Sequence, residues 1–239
     1  MAGRIAYYGG VAPNGLIFHI DAARRNSYSG IGTAWNDLSG FNYHGSLVNG
    51  PVFNSNDRGG SITFDAVNDY ATFPNPLFNL YSGSNNTQQV WTVNAWVNLP
   101  SATSGVVLVN GYNSPNGINL GLYLAFYTGG AGPTYYLNWA SSARFLYGGQ
   151  NKIIGRGPTN VTFTLNCPAN SMVNYINGAV DTTYTSPAFT PAGISQNMFI
   201  AGPGNAAAYS LYYLQIYNRA LSAAEVLQNY NATKGRYGL

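Results

Sequence analysis

The sequence predicts an all-β domain, a sandwich or barrel of short strands, with one short helix near the C-terminus. Three observations carry that expectation. Runs rich in β-branched and aromatic residues recur along the 239 residues, separated by clusters of Gly, Pro, Asn and Ser. Hydrophobic residues make up 46% of the chain and aromatic residues 15%, enough apolar surface to offset the entropy of ordering it. Gly and Pro are spread throughout, with no linker-like pool, charge run or repeat, so a single domain is expected.

Taken in order, strands are expected at residues 15–21, 61–64, 70–73, 92–99, 105–110, 121–127, 134–139, 161–165, 173–176, 197–202 and 209–217. The run Thr92-Val-Asn-Ala-Trp-Val-Asn-Leu99 alternates loosely, as a strand with one face in a core does. Asn177-Gly178 sits between two β runs and predicts a type I′ hairpin turn. Ser222-Ala-Ala-Glu225 reads as a capping box opening a helix of one to two turns, with Val226, Leu227 and Tyr230 as its apolar face. Trp96 and Trp139 are expected in the core, as is His19 within its apolar strand. The lone Cys167 reads as a small buried hydrophobe. Residues 1–14 hold little apolar material and are expected to form an arm, with Arg4, Ile5, Tyr7 and Tyr8 ahead of a Gly9-Gly10 hinge.

Charged residues are only 7% of the chain, where a soluble domain usually has roughly a quarter. The polar material is instead about 30 Asn, with Ser, Thr, Gly and 20 Tyr. Net charge is +3, but the ten basic residues are scattered singly and form no phosphate-tracking stripe, so a nucleic-acid partner is not expected. No apolar run reaches ~18 residues, so no membrane span is expected. The opening residues hold no apolar signal core, and one cysteine cannot form an internal disulfide. Both features suit synthesis in a cytoplasm.

Several segments together resemble a known family. Gly15-Leu-Ile-Phe-His-Ile-Asp-Ala22 resembles its opening strand, and Thr33-Ala-Trp-Asn-Asp-Leu-Ser-Gly40 followed by His44-Gly-Ser-Leu47 its next loop and strand. Gly60-Ser-Ile-Thr-Phe-Asp-Ala-Val-Asn-Asp-Tyr70 and Thr92-Val-Asn-Ala-Trp-Val97 continue the pattern, and Tyr217-Asn-Arg-Ala-Leu-Ser-Ala-Ala-Glu-Val-Leu-Gln-Asn-Tyr230 closes it. This is the pattern of laminin G-like, concanavalin A-like lectin/glucanase domains. The resemblance implies a jelly roll of two antiparallel sheets over residues 15–239. A single such domain ending in Asn229-Tyr-Asn-Ala-Thr-Lys-Gly-Arg-Tyr-Gly-Leu239 also resembles virion structural proteins of tailed bacteriophages, and similar domains occur in bacterial surface proteins.

Glucanases of that superfamily carry Glu-x-Asp-x-x-Glu on one strand, whereas this chain has a single glutamate, Glu225, inside the capping box. Retaining hydrolysis needs two carboxylates about 5–5.5 Å apart. The tightest acidic pair, Asp65 and Asp69, straddles a turn, so no catalytic residues are expected. Calcium takes 6–8 oxygen ligands. Asp65, Asn68 and Asp69, with Asp21 across the sheet, are the candidate metal ligands, and Asx-turn hydrogen bonding is the favoured alternative for them. No cofactor is otherwise expected. A glycan platform would use aromatic rings beside amides, and the candidates are Tyr135, Tyr136, Asn138, Trp139 and Tyr147.

A Tyr-rich surface poor in Lys and Glu also resembles interface composition. The expectation is a non-enzymatic virion structural protein, a capsid decoration or fibre-type appendage at the virion surface. Its partners would be other virion proteins and copies of itself, with residues 1–11 as an anchor. The alternative is a carbohydrate-binding module for host-surface polysaccharide, and a glycoside hydrolase is the least favoured reading.

Overall fold

The computed structural model describes residues 10–81, 88–100, 106–112, 121–128, 133–139, 143–145, 153–185, 194–201 and 208–239. For residues 78, 81, 106–112, 121–128, 133–139, 143–145, 194 and 195 it describes the backbone alone. The strands are β1 (Leu16–Asp21), β2 (Ala34–Trp35), β3 (Gly45–Val48), β4 (Val52–Asn54), β5 (Ser61–Phe64), β6 (Tyr70–Pro74), β7 (Val90–Asn98) and β8 (Val106–Tyr112). They continue with β9 (Gly121–Thr128), β10 (Pro133–Trp139), β11 (Ala143–Phe145), β12 (Thr159–Asn166), β13 (Ser171–Ile176), β14 (Ala179–Thr185), β15 (Ile194–Ile200) and β16 (Tyr209–Tyr217). A one-turn helix, α1 (Phe78–Tyr81), follows β6, and α2 (Ala223–Thr233) follows β16, leading into a 3-10 turn, Lys234–Tyr237.

Among the described residues these strands form two eight-stranded sheets. The first runs β14-β13-β12-β7-β16-β5-β4, with β1 also paired to β16. The second runs β11-β10-β9-β8-β15-β6-β3-β2. Their ladders are antiparallel throughout, for example β7 with β12 and β7 with β16. The result is the two-sheet jelly roll that the resemblance implied. Each expected run coincides with a strand to within a few residues at its ends, Gly105 and Gly202 lying outside the described residues. The runs that went unread are short, such as Ala34–Trp35 and Ala143–Phe145, or lie at a sheet edge, as β14 does, where mostly exposed residues give no apolar alternation. The Asn177-Gly178 turn has positive φ at both residues, 50° and 77°, as type I′ requires.

The inter-sheet core is built on aromatic contacts. Phe18 of β1 meets Phe73 of β6 edge-on at 5.1 Å between ring centroids, and Trp35 packs on the same Phe73 at 6.0 Å. In β16 the alternation Leu211, Leu214, Ile216 faces this core, but Tyr212 and Tyr213 both join the cluster on the outer face. A β-bulge between Leu211 and Tyr213 explains the broken period, because its extra residue lets two successive side chains leave by the same face.

That outer face is covered by the chain's own ends. Trp96 stacks on Tyr237 at 3.8 Å, and Val11, Ala12 and Leu16 pack with Tyr217, Leu221 and Val226. The capping box is present: Ser222 Oγ accepts from the Glu225 N–H and Glu225 accepts from the Ser222 N–H. The helix is longer than expected, eleven residues, and Leu227 is exposed rather than part of its buried face. Asn229 is buried in its place, accepting from the Ala12 N–H at 2.7 Å and donating to Tyr217 OH at 3.0 Å. A helix lying over polar sheet residues needs a polar contact there, which the apolar periodicity did not signal.

Beneath α2 a hydrogen-bond web centres on Asn94. Its Nδ2 donates to Gln215 Oε1 at 2.9 Å, and its Oδ1 accepts from Asn160 Nδ2 and Thr162 Oγ1, each at 2.9 Å. Cutting a fully buried hub leaves its neighbours without partners. Asn94→Leu is therefore expected to lower the unfolding free energy by about 3 kcal/mol, against about 1 kcal/mol for loss of the helix cap in Ser222→Ala. Urea denaturation followed by tryptophan fluorescence measures both.

Candidate functional site

Strands β1 and β16 are paired with Asp21 opposite Tyr213 and His19 opposite Gln215. Their neighbours Phe18, Ile20, Leu214 and Ile216 enter the inter-sheet core, so these four side chains share the outer face. They form the floor of a cavity of about 200 Å³. Val11 and the C-terminal Ala232 and Thr233 wall one side, and Arg24 and Arg236 complete it.

Arg236 is held by three hydrogen bonds. Its Nε donates to the Arg58 carbonyl at 2.7 Å, Nη1 to Asp21 Oδ1 at 2.8 Å, and Nη2 to the Gly60 carbonyl at 2.7 Å. This clasp ties the C-terminal turn to the place where β1 ends and β5 begins. Gly60 is needed there: at φ 151° a Cβ would come within 2.8 Å of the Ala22 carbonyl oxygen. Asp21 Oδ1 also accepts from the Ala23 N–H at 2.9 Å, while Oδ2 faces Arg24 Nε at 3.7 Å. Tyr213 OH bonds Thr233 Oγ1 at 3.3 Å, and Gln215 Oε1 accepts from Asn94 and from Tyr217 OH.

Burial lowers the His19 imidazole to about 4 from its usual 6.5, the nearby Asp21 and Asp37 only partly opposing the effect and Arg24 adding to it. Burial likewise pushes the Tyr213 phenol up to about 12. At neutral pH both are uncharged, and Asp21, Arg24 and Arg236 carry the charge of the cavity. Among the described residues Asp21 is the one carboxylate lining it. Its chemistry is therefore polar recognition with a net positive balance.

The predicted metal candidates divide. Asp65 Oδ1 accepts from the Val67 N–H at 2.8 Å and the Asn68 N–H at 3.3 Å, while Asp69 Oδ2 accepts from the Asp65 N–H at 3.2 Å. These bonds describe a self-locked turn. The Val67 N–H in particular holds the Asp65 carboxyl below its usual range, while burial and then the Asp65 charge raise Asp69. Asn68 contributes its carbonyl to Asn49 Nδ2 at 2.8 Å. Asp21 shares no partner with these three residues and belongs to the cavity on β1. Among the described residues no three His, Cys, Asp or Glu side chains converge as a metal-holding group.

The remaining carboxylates are also tied down. Asp37 accepts from the His19, Ser39 and Tyr43 N–H groups and from Ser39 Oγ, organising the loop after β2. Asp57 accepts from Ser61 Oγ and Tyr212 OH. Asp181 accepts from Thr182 Oγ1 at 3.1 Å. Glu225 takes a bidentate pair from Arg219 at 2.6 and 2.9 Å besides its capping bonds, and chiefly for that reason its carboxyl lies low, at about 2. His44 accepts from the Asp37 N–H at 3.1 Å through Nδ1. Cys167 is buried and its thiol is pushed up to about 12 by burial.

The glycan candidates Tyr135, Tyr136, Asn138 and Trp139 lie in β10, opposite Phe126, Ala125, Arg144 and Ala143 respectively, but their side chains are outside what the structure describes. Tyr147 and the arm residues Arg4, Ile5, Tyr7 and Tyr8 lie outside the described residues altogether. The sequence did not single out Arg24, Tyr213, Gln215 or Arg236. The available signal was a polar residue at every second position of two apolar strands, His19 and Asp21 in β1, Tyr213 and Gln215 in β16. Nothing local pointed to Arg236, which meets Asp21 across 215 residues of chain.

Comparison with known proteins gives a consistent picture of the fold. The laminin G family model described as the concanavalin A-like lectin/glucanases superfamily matches residues 65–227. No curated protein matches the chain. The binding domain of Paraclostridial Mosquitocidal Protein 1 superposes with a TM-score of 0.67 at 16% identity, over 91% of this chain and 52% of that one. The receptor binding domain of botulinum neurotoxin C/D mosaic serotype gives 0.68 at 17% identity, over 93% and 52%. Trypanosoma rangeli sialidase in complex with the inhibitor DANA gives 0.63 at 17%, over 92% and 33%. This chain thus spans about half of the toxin binding domains and a third of the sialidase. At such identities the likeness is one of fold.

The buried imidazole sets a pH signature. Since the folded His19 titrates at about 4 and the unfolded one near 6.5, the unfolded chain binds the proton first as pH falls. Stability is full above the unfolded value and is lost between there and pH 4, by about 2 kcal/mol from pH 7 to pH 5. His19→Gln is expected to flatten that segment of the urea-stability profile, and an unchanged slope would assign the loss elsewhere.

Proposed function

Since the chain belongs to the concanavalin A-like lectin/glucanases superfamily, we propose that it is a non-catalytic attachment module of that fold. In this reading it is a structural protein at the surface of a tailed-bacteriophage particle, a capsid decoration or fibre-type appendage. Its partners are other virion proteins and further copies of itself. The observation that carries the non-catalytic part is the disposition of the carboxylates. All seven acidic residues, Asp21, Asp37, Asp57, Asp65, Asp69, Asp181 and Glu225, accept hydrogen bonds or ion pairs from within the fold. A glycosidase of either stereochemistry needs a spaced pair facing one sugar, about 5–5.5 Å apart for retention and roughly 6.5–9.5 Å for inversion. The attachment role itself rests on the resemblance to virion proteins and on a composition poor in Lys and Glu; the Tyr-rich surface expected from the sequence is not found among the described residues, whose tyrosines are buried or half-buried. Multiple copies on one particle make weak individual contacts effective by avidity.

A second reading, a carbohydrate-binding module that recognises host-surface polysaccharide, is favoured by one observation. The solved structures that superpose on nearly the whole chain include toxin domains named for binding. Fold likeness supports this reading without carrying it.

Two measurements test these readings. Incubation with bacterial surface polysaccharide is expected to release no reducing ends. Hydrolysis abolished by Asp65→Asn or Asp69→Asn would overturn the non-catalytic reading. Quantitative mass spectrometry of purified particles is expected to find the chain in many copies, and its absence from particles would leave the carbohydrate-binding reading standing alone.

A further inference from the structure

The cavity on β1 and β16 has a donor inventory that the attachment role does not use. Arg236 has three of its five N–H groups engaged, one on each nitrogen, and Asp21 Oδ1 is occupied by Arg236 and the Ala23 N–H. Gln215 spends its Oε1 on Asn94 and Tyr217, so its Nε2 stands as a donor, on a residue only 1% exposed, at the cavity floor. At the mouth, the Arg24 side chain is 49% exposed and its one charged contact is the long 3.7 Å approach of Nε to Asp21. Among the described residues, the Gln215 amide, buried and neutral, and the Arg24 guanidinium, cationic, thus have N–H groups to spare.

The charge balance points the same way. Among the described residues the ionised groups facing the cavity are Asp21, Arg24 and Arg236, a net balance of one positive charge. One bound carboxylate would bring the balance to zero. The cavity has the volume of roughly seven liquid waters, room for one small molecule or a single sugar ring. Val11 and Ala232 add apolar lining to the polar floor.

We propose that this cavity is a binding site for a carboxylate-bearing small ligand, either one uronate residue or a free small carboxylic acid, with Arg24 pairing the carboxylate and Gln215 Nε2 donating to a second ligand oxygen. Asp21 then serves as a positioning residue, holding Arg24 and Arg236 at the site. The proposal stands on the cavity alone and is independent of where the chain is displayed.

Proton NMR of the full chain tests it at site resolution, because the chain has only two histidines and one of them, His19, lines the cavity. With the His19 ring resonances assigned through His44→Gln, the protein is titrated at pH 7 with glucuronate, acetate and glucose at millimolar concentrations. Glucuronate is expected to shift the His19 resonances saturably, and glucose is not. An equal response to acetate would identify a free carboxylic acid as the sufficient ligand, whereas a response to glucuronate alone would identify the uronate. Arg24→Gln, at an exposed position, is expected to weaken binding at least tenfold while leaving the unfolding midpoint unchanged, with partial rescue in Arg24→Lys. Absence of any shift, equal shifts with glucose, or binding unaltered by Arg24→Gln would each overturn the proposal.

Discussion

A sheet buried on both faces must satisfy its polar groups from within, and much of this molecule follows from that constraint. The inner face of the first sheet meets the second sheet through Phe18, Phe64 and the aliphatic residues of β7 and β16. Its outer face carries Asn94, Asn160, Thr162, Gln215 and three tyrosines of β16, all buried. These polar side chains are buried, so they hydrogen-bond one another, and α2 descends on them with Asn229 and Thr233 as polar contacts. Thr233 Oγ1 accepts from Trp96 Nε1 at 3.0 Å while donating to the Asn229 carbonyl at 2.8 Å, joining helix to sheet. Breaking the web is costly because each buried group left behind retains its desolvation penalty.

The same constraint explains where the cavity lies and why its charge is positive. The outer layer is assembled from two distant pieces of chain, residues 10–14 and the C-terminal helix and turn. The cavity is the space they leave over β1 and β16. Arg236 closes the layer by bonding two carbonyls and Asp21, which engages each of its three nitrogens and half neutralises the cavity, while Arg24 remains at the rim. The scarcity of acidic residues thereby acquires a structural meaning. Each of the seven carboxylates in the chain accepts a hydrogen bond or ion pair from within the fold.

Much of the fold was legible in the sequence because its signals are local. Asn177-Gly178 specifies a turn through the backbone freedom of two adjacent residues, and Ser222 with Glu225 specifies a helix start through bonds spanning three positions. The strand pattern survived even where β16 departs from strict alternation. Other features depend on partners far away in sequence. The bulge that turns Tyr212 and Tyr213 to one side is decided by the pairing of β16 with β7. The exposure of Leu227 and burial of Asn229 are decided by what α2 lies upon. The short strands β2, β4 and β11 have no period of their own and exist only because a neighbour offers them a ladder.

The sequence by itself determined that this chain makes an antiparallel β-sandwich ending in a capped helix. It also determined the scarcity of acidic residues, seven in the whole chain, since strand period, turn type, capping and composition are all local or additive properties. Only the tertiary structure decided that His19, Asp21, Arg24, Tyr213, Gln215 and Arg236 meet around one cavity. Their meeting is set by the β1–β16 register and by a C-terminal turn folding back across 215 residues to Asp21, a closure that no local pattern encodes.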